Sequence, residues 1–188
     1  MTDSILAGVS QIESIVTDLL DYARGTTLDR QEYHLGEVVG PAVEAYTEKA
    51  RENGVALVAR GLDTDLVVVV DGQRLRRVFV NVISNALEAA EHRPDARVEV
   101  ALYRRETDAA VEITDNGEGI APEARAKILR PFFTTKPTGT GLGLVIAKKI
   151  MDLHGGKIEI DTTPGVGTSV RLVIPAKTCR HHSSALKG

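Results

Sequence analysis

Apolar residues step by fours and threes through the first 25 positions. Ile5, Val9, Ile12, Val16, Leu19 and Ala23 make a heptad stripe, which predicts one helix over residues 1–25. Ile15, Leu20 and Tyr22 widen the stripe toward a bundle face. It fits a helix packed on its own domain, and it fits better one that associates with another helix. Periodicity lapses in "RGTTLDRQ", so residues 26–34 read as a linker. A second helical pattern starts at Leu35, runs through Val38, Val39, Ala42, Val43 and Tyr46, and stops at Asn53-Gly54. Two strand-like runs follow, 55–60 and 66–70, joined by "GLDTD". Leu75, Val78, Phe79, Val82, Ile83, Ala86 and Leu87 then predict a helix over 72–91. "RVEVALYRR" and "AAVEITD" alternate with period two and predict an antiparallel hairpin. "PEARAKILR" predicts a short helix with Pro122 near its first turn. A helix over 143–154 and strands over 157–161 and 169–174 complete the pattern. The tail, 177–188, has none and is expected to be disordered. Hairpins beside helices predict an α/β fold: a two-layer sandwich with a mixed sheet over residues 35–176, preceded by one separate helix.

Composition narrows the class. The 188 residues suffice for one domain with an appendage. No apolar run approaches the ~20 residues of a membrane helix, and the N-terminus lacks the basic start of a signal peptide. The net charge of −3 implies no general nucleic-acid surface. The single cysteine, Cys179, rules out an internal disulfide framework and fits a reducing cytoplasm.

Four stretches exceed what packing requires. In "NVISNALEAA", Asn81 and Asn85 are four residues apart and share one helix face. An amide oxygen there suits a hard cation such as Mg²⁺; the pair also fits exposed or hydrogen-bonded asparagines. In "DNGEGI", Asp115 ends a strand, and Gly117 and Gly119 let the backbone turn and approach a ligand. The carboxylate suits an exocyclic amine; the same residues suit an ordinary turn. "RPFFTTKP" cannot be a regular helix between Pro131 and Pro137 and reads as a flap with aromatic anchors and one cation, Lys136. Gly139, Gly141 and Gly143 then open a helix whose N-terminus favours an anion. In the tail, His181 and His182 near Cys179 fit either a metal or solvated, disordered chain.

In this order, "NVISNALEAA", "DNGEGI", "PFFTTK", "GTGLGL" and "TPGVGTS" resemble the N box, glycine boxes, F box and last glycine turn of two-component sensor histidine kinases. The resemblance spans about residues 35–175 and points to the ATP-binding domain; "PFFTTK" is most like the nitrogen-regulatory branch. It implies the fold shared with DNA gyrase and related chaperone ATPases, with ATP between helices and lid. It implies that Asn85 holds Mg²⁺, that Asn81 supports it, and that Lys136 meets the terminal phosphate, making these three the catalytic set. Asp115 would accept from the adenine amine. Gly117, Gly119 and Ile120 would shape the base pocket, and Thr168 would reach adenine through water. Phe132 and Phe133 would sit on the lid, and Gly139, Thr140, Gly141, Leu142, Gly143 and Leu144 would close over the phosphates.

Three departures shape the expected function. Asn81 stands where gyrase-like ATPases carry a water-activating glutamate, so hydrolysis should be slow. Glu88 stands where many kinases carry a phosphate-binding lysine, which leaves Lys136, His92 or Arg93 for that charge. No H box is present; residues 12–24 resemble the second helix of the dimerisation hairpin instead. The expectation is the catalytic portion of a cytoplasmic sensor histidine kinase, dimeric through residues 1–25 in the intact protein. It would phosphorylate a histidine on a helix outside this chain, and the phosphoryl group would pass to a response-regulator receiver aspartate. The alternative is a stand-alone serine kinase that binds a sigma factor.

Overall fold

Where the sequence alternates apolar and polar residues the computed structural model has strands, and where apolar residues recur every three or four it has helices. It describes residues 27–136 and 139–176; the helix expected over 1–25 and the tail 177–188 lie outside these. The order is β1 (Gln31–His34), α1 (Leu35–Glu52), β2 (Ala56–Arg60), β3 (Val67–Val70), α2 (Gly72–Ala90), β4 (Arg97–Arg105) and β5 (Asp108–Asp115). Then come α3 (Pro122–Arg125), α4 (Gly143–Leu153), β6 (Lys157–Thr163) and β7 (Gly167–Ile174). Five strands form one sheet in the order β2-β4-β5-β7-β6. The β2–β4 pair is parallel and the rest antiparallel, so the sheet is mixed, as expected.

One face of the sheet carries the core. Val98, Val100 and Leu102 of β4 and Val111 and Ile113 of β5 are buried with Leu75, Phe79 and Ile83 of α2 and Ile146 and Met151 of α4. Each fully buried large side chain contributes about 1.5–3 kcal/mol relative to exposure. The other face is polar: Arg171 Nη2 pairs with Glu112 at 2.7 Å and Nη1 with Glu159 at 2.9 Å. One apolar and one charged face make this a two-layer sandwich.

Local chemistry fixes the helix ends. The α1 helix stops where Gly54 takes φ 69°, and Val55 N–H closes back on the Ala50 carbonyl at 2.8 Å. Asp71 caps α2 by accepting from the Arg74 N–H at 3.1 Å.

Three segments differ from the sequence expectation. Residues 31–34, read as the end of the linker, form β1, which pairs antiparallel with β3. "QEYH" has no apolar alternation; its partner is the apolar run of four valines, and Tyr33 packs over Gly72. The strands flanking "GLDTD" go to different sheets, and Gly61, at φ 71°, turns the chain beneath β4. The helix expected over "PEARAKILR" is one turn, Pro122–Arg125, because it buries no side chain that would hold a longer one.

His154, just after α4, joins that helix to the start of α2. The Asp71 N–H donates to His154 Nε2 at 2.9 Å, so Nδ1 carries the proton and donates to the Ile150 carbonyl at 2.8 Å. The ring is buried, and burial pushes its pKa below the ordinary value of about 6.5. The folded state therefore needs the neutral ring. Stability is complete above about pH 6.5 and falls as the pH drops from there toward the lowered folded pKa. Thermal melts across this window should show that loss. The His154→Leu variant should lose the pH dependence and about 1–3 kcal/mol at neutral pH, because the Asp71 N–H loses its acceptor.

Candidate functional site

A cavity of about 940 Å³ opens between α2, α4 and the segment linking β5 to α4. Its apolar floor includes Ile113 of β5 and Val170 of β7. Along one face of α2, Arg77, Asn81, Asn85 and Ala89 line it at four-residue steps.

At one end lies Asp115, 7% exposed. Its Oδ1 accepts the Gly117 N–H at 2.8 Å, and the Thr168 N–H also donates to the carboxylate. Burial raises its pKa; the two N–H groups and the Lys136 charge oppose the rise without cancelling it. Gly117 does not line the cavity. It lies against α2, where a Cβ would stand 2.4 Å from the Ala89 carbonyl oxygen. Gly119 does line it, at φ 70°, with room for a Cβ closed by the Thr163 carbonyl at 2.3 Å. Ile120 lines it too, and its N–H donates to Thr162 Oγ1 at 2.9 Å. Thr162 in turn lies 3.0 Å from Thr168 Oγ1, hydroxyl to hydroxyl. Asn116, within the same motif, is structural: its amide spans the Asp95 carbonyl and the Arg97 N–H, both at 2.8 Å.

At the other end, Asn81 Nδ2 donates to the Gly143 carbonyl at 3.1 Å and ties α2 to the first turn of α4. No side chain caps α4, and Gly143 and Leu144 of its first turn line the cavity. Lys136 reaches across to α2, with Nζ 3.3 Å from Asn85 Oδ1 and 2.5 Å from Glu88 Oε2. Thr140, Gly139 and Gly141 line the same side. Gly141, at φ 66°, lies against the Phe132–Phe133 backbone, where a Cβ would approach to 2.6 Å. The two phenylalanines divide: Phe133 lines the cavity, whereas Phe132 is 66% exposed.

Besides Gly117, two expectations need correction. Leu142 is buried in the core and does not line the cavity, because the residue before α4 turns its side chain inward. His92 and Arg93 follow the end of α2 and do not line it either. Arg77, Glu118 and Thr162 went unnoticed in the sequence. For Arg77 the signal was available, since it lies four residues before Asn81. Among the described lining residues the cations are Arg77 and Lys136, against Glu88, Asp115 and Glu118.

The arrangement suits a ligand with an apolar ring bearing an N–H donor at one end and an anionic group at the other. No cluster of three His, Cys, Asp or Glu that could hold a metal exists among the described residues. The oxygen of Asn85 fits an ion that keeps most of its ligands as water and phosphate, which is the habit of Mg²⁺. No helix among the described residues is long and apolar enough to cross a membrane.

Residues 70–178 match the sequence model for the histidine kinase-, DNA gyrase B-, and HSP90-like ATPases. Sporulation kinase A of Bacillus subtilis is 32% identical over 93% of this chain and 29% of its own length. The catalytic domain of histidine kinase ThkA, in a nucleotide-free form, superposes with a TM-score of 0.69 at 32% identity. That match covers 79% of this chain and 96% of ThkA's domain. ThkA in complex with response regulator protein TrrA gives a TM-score of 0.77 at 30% identity, covering 93% and 50% of the two chains. The chain spans less than half the length of the curated relatives it matches.

Proposed function

We infer that this chain, which belongs to the family of histidine kinase-, DNA gyrase B- and HSP90-like ATPases, is the ATP-binding catalytic portion of a sensor histidine kinase. One observation carries the reading: a single cavity gathers Asn81, Asn85, Asp115, Lys136 and the lid glycines from segments far apart in sequence. The adenine amine would donate to Asp115, with Ile120 and the apolar floor against the ring. The phosphates would meet the uncapped start of α4, Lys136 and the glycine backbone. Asn85 would hold Mg²⁺, which neutralises and orients the phosphates when bound.

Asn81 cannot deprotonate water, and its amide is committed to Gly143. Hydrolysis is therefore slow, and a positioned imidazole is the better nucleophile. A ring nitrogen of a histidine outside this chain attacks the terminal phosphorus, and ADP leaves with the bridging oxygen. The phosphoryl group then passes to an aspartate of a response regulator; the partner in the ThkA complex is such a protein. The heptad stripe of residues 1–25 supports a dimer in the intact protein, working in the cytoplasm.

Incubation with γ-labelled ATP and Mg²⁺ tests this. The chain alone should take no label. A dimerisation hairpin bearing an H-box histidine, added in trans, should acquire an acid-labile phosphoryl group. Efficient histidine labelling of this chain alone, or an acid-stable phosphoserine product, would overturn the reading.

A further inference from the structure

We propose that Arg77 is a further cation, beside Lys136, that binds the terminal phosphate of the nucleotide. The proposal rests on the ATP reading, and the α2 helix supplies its geometry. The C-terminal end of that helix abuts the base pocket: Ala89 lines the cavity, as does Asp115, and the Ala89 carbonyl packs against Gly117 two residues after Asp115. Toward the N-terminus, Asn85 comes next, then Asn81, hydrogen-bonded to the first turn of α4, where anions are favoured. Arg77 is one further turn along the same face, about 6 Å beyond Asn81 and about 12 Å beyond Asn85 along the axis. Walking down this face thus passes from base to metal ligand to the end of the phosphate chain.

Charge points the same way. The cations among the described lining residues are Lys136, paired with Glu88 at 2.5 Å, and Arg77, which is engaged as well. A lysine at position 88 would have supplied positive charge from α2; glutamate supplies the opposite sign. Arg77 restores a positive charge to that helix three turns earlier, at the end where the phosphates terminate. It is half-buried, so its field is less screened than that of a surface residue. Its planar fork of donors matches a phosphate better than an ammonium does. Arg77 also lines a second cavity, of about 400 Å³, between α2 and α4. It therefore stands at the boundary of the nucleotide site on the side away from the base.

ADP lacks the γ-phosphate of ATP, and this separates a ligand of that group from a structural arginine. Affinities for Mg-ATP and Mg-ADP should be measured by calorimetry for the wild-type chain, Arg77→Gln and Arg77→Glu. The expected result is a loss of about tenfold in ATP affinity for Arg77→Gln, with ADP affinity unchanged. Arg77→Glu should lose more ATP affinity and still spare ADP. Equal losses for both nucleotides, or no loss for either, would overturn the proposal. Failure of the wild-type chain to bind either nucleotide would overturn the ATP reading itself.

Discussion

Replacing Asn85 with alanine is expected to weaken Mg-ATP binding about a hundredfold while leaving the chain folded. The side chain is half-buried in the middle of α2, and alanine is a better helix former, so nothing in the core is lost. What is lost is the amide oxygen, the atom through which α2 would hold the ion. Mg²⁺ relies on few protein ligands and a near-octahedral shell, so losing one disturbs the geometry of the remainder. A hundredfold change corresponds to about 2.7 kcal/mol, within reach of one such contact. Lys136 also loses a partner, yet it keeps Glu88, so the lid stays tethered. Repeating the titration in EDTA distinguishes the causes. A metal-holding asparagine makes wild type and variant alike without Mg²⁺. A structural asparagine leaves affinity unchanged in both conditions.

The second large effect belongs to Asp115. Its carboxylate already accepts the Gly117 and Thr168 N–H groups and sits buried beside the apolar floor. Both groups that hydrogen-bond it are donors, so a third donor from an adenine amine completes the pattern. Asparagine at this position must turn its NH₂ toward one of those donors. Asp115→Asn should therefore weaken ATP binding about 10- to 100-fold, the range for a charged hydrogen bond in a buried site. GTP offers a carbonyl where ATP offers an amine, so wild type should reject it and the variant should discriminate less. A pH signature accompanies the loss. Burial raises the Asp115 pKa, and the competent form is the carboxylate. ATP affinity should be complete above that raised pKa and fall as the pH drops through it. The asparagine variant should show a flat profile in the same titration.

Much of this architecture was legible from periodicity. The apolar steps from Leu75 to Leu87 are the buried face of α2, and the alternation around "EITD" is the hairpin that brings Asp115 to the cavity. These patterns are local, so the sequence carries them within a few residues. What escaped depends on distance. The β1 strand exists because "QEYH" meets a valine strand 36 residues later, with Tyr33 opposite Val68. Asn81 reaches Gly143 across 62 positions, and no window around either residue records that bond. Phe132 and Phe133 look alike in sequence, and only the turn that returns Phe132 N–H to the Gly141 carbonyl, at 3.1 Å, separates them. Leu142 sits among lid residues by motif, and its side chain is spent on the core. Arg77 was hidden differently: its helical register was readable, but an arginine next to Arg76 resembles any solvated pair until the cavity is seen.

Each of these effects requires that the cavity hold Mg-ATP. Calorimetric titration of the chain with ATP, with and without Mg²⁺, tests it most directly. One saturable site is expected, with an affinity that falls when the metal is chelated and when Asn85 is replaced by alanine. No heat of binding in the presence of Mg²⁺, or binding indifferent to both changes, would contradict it.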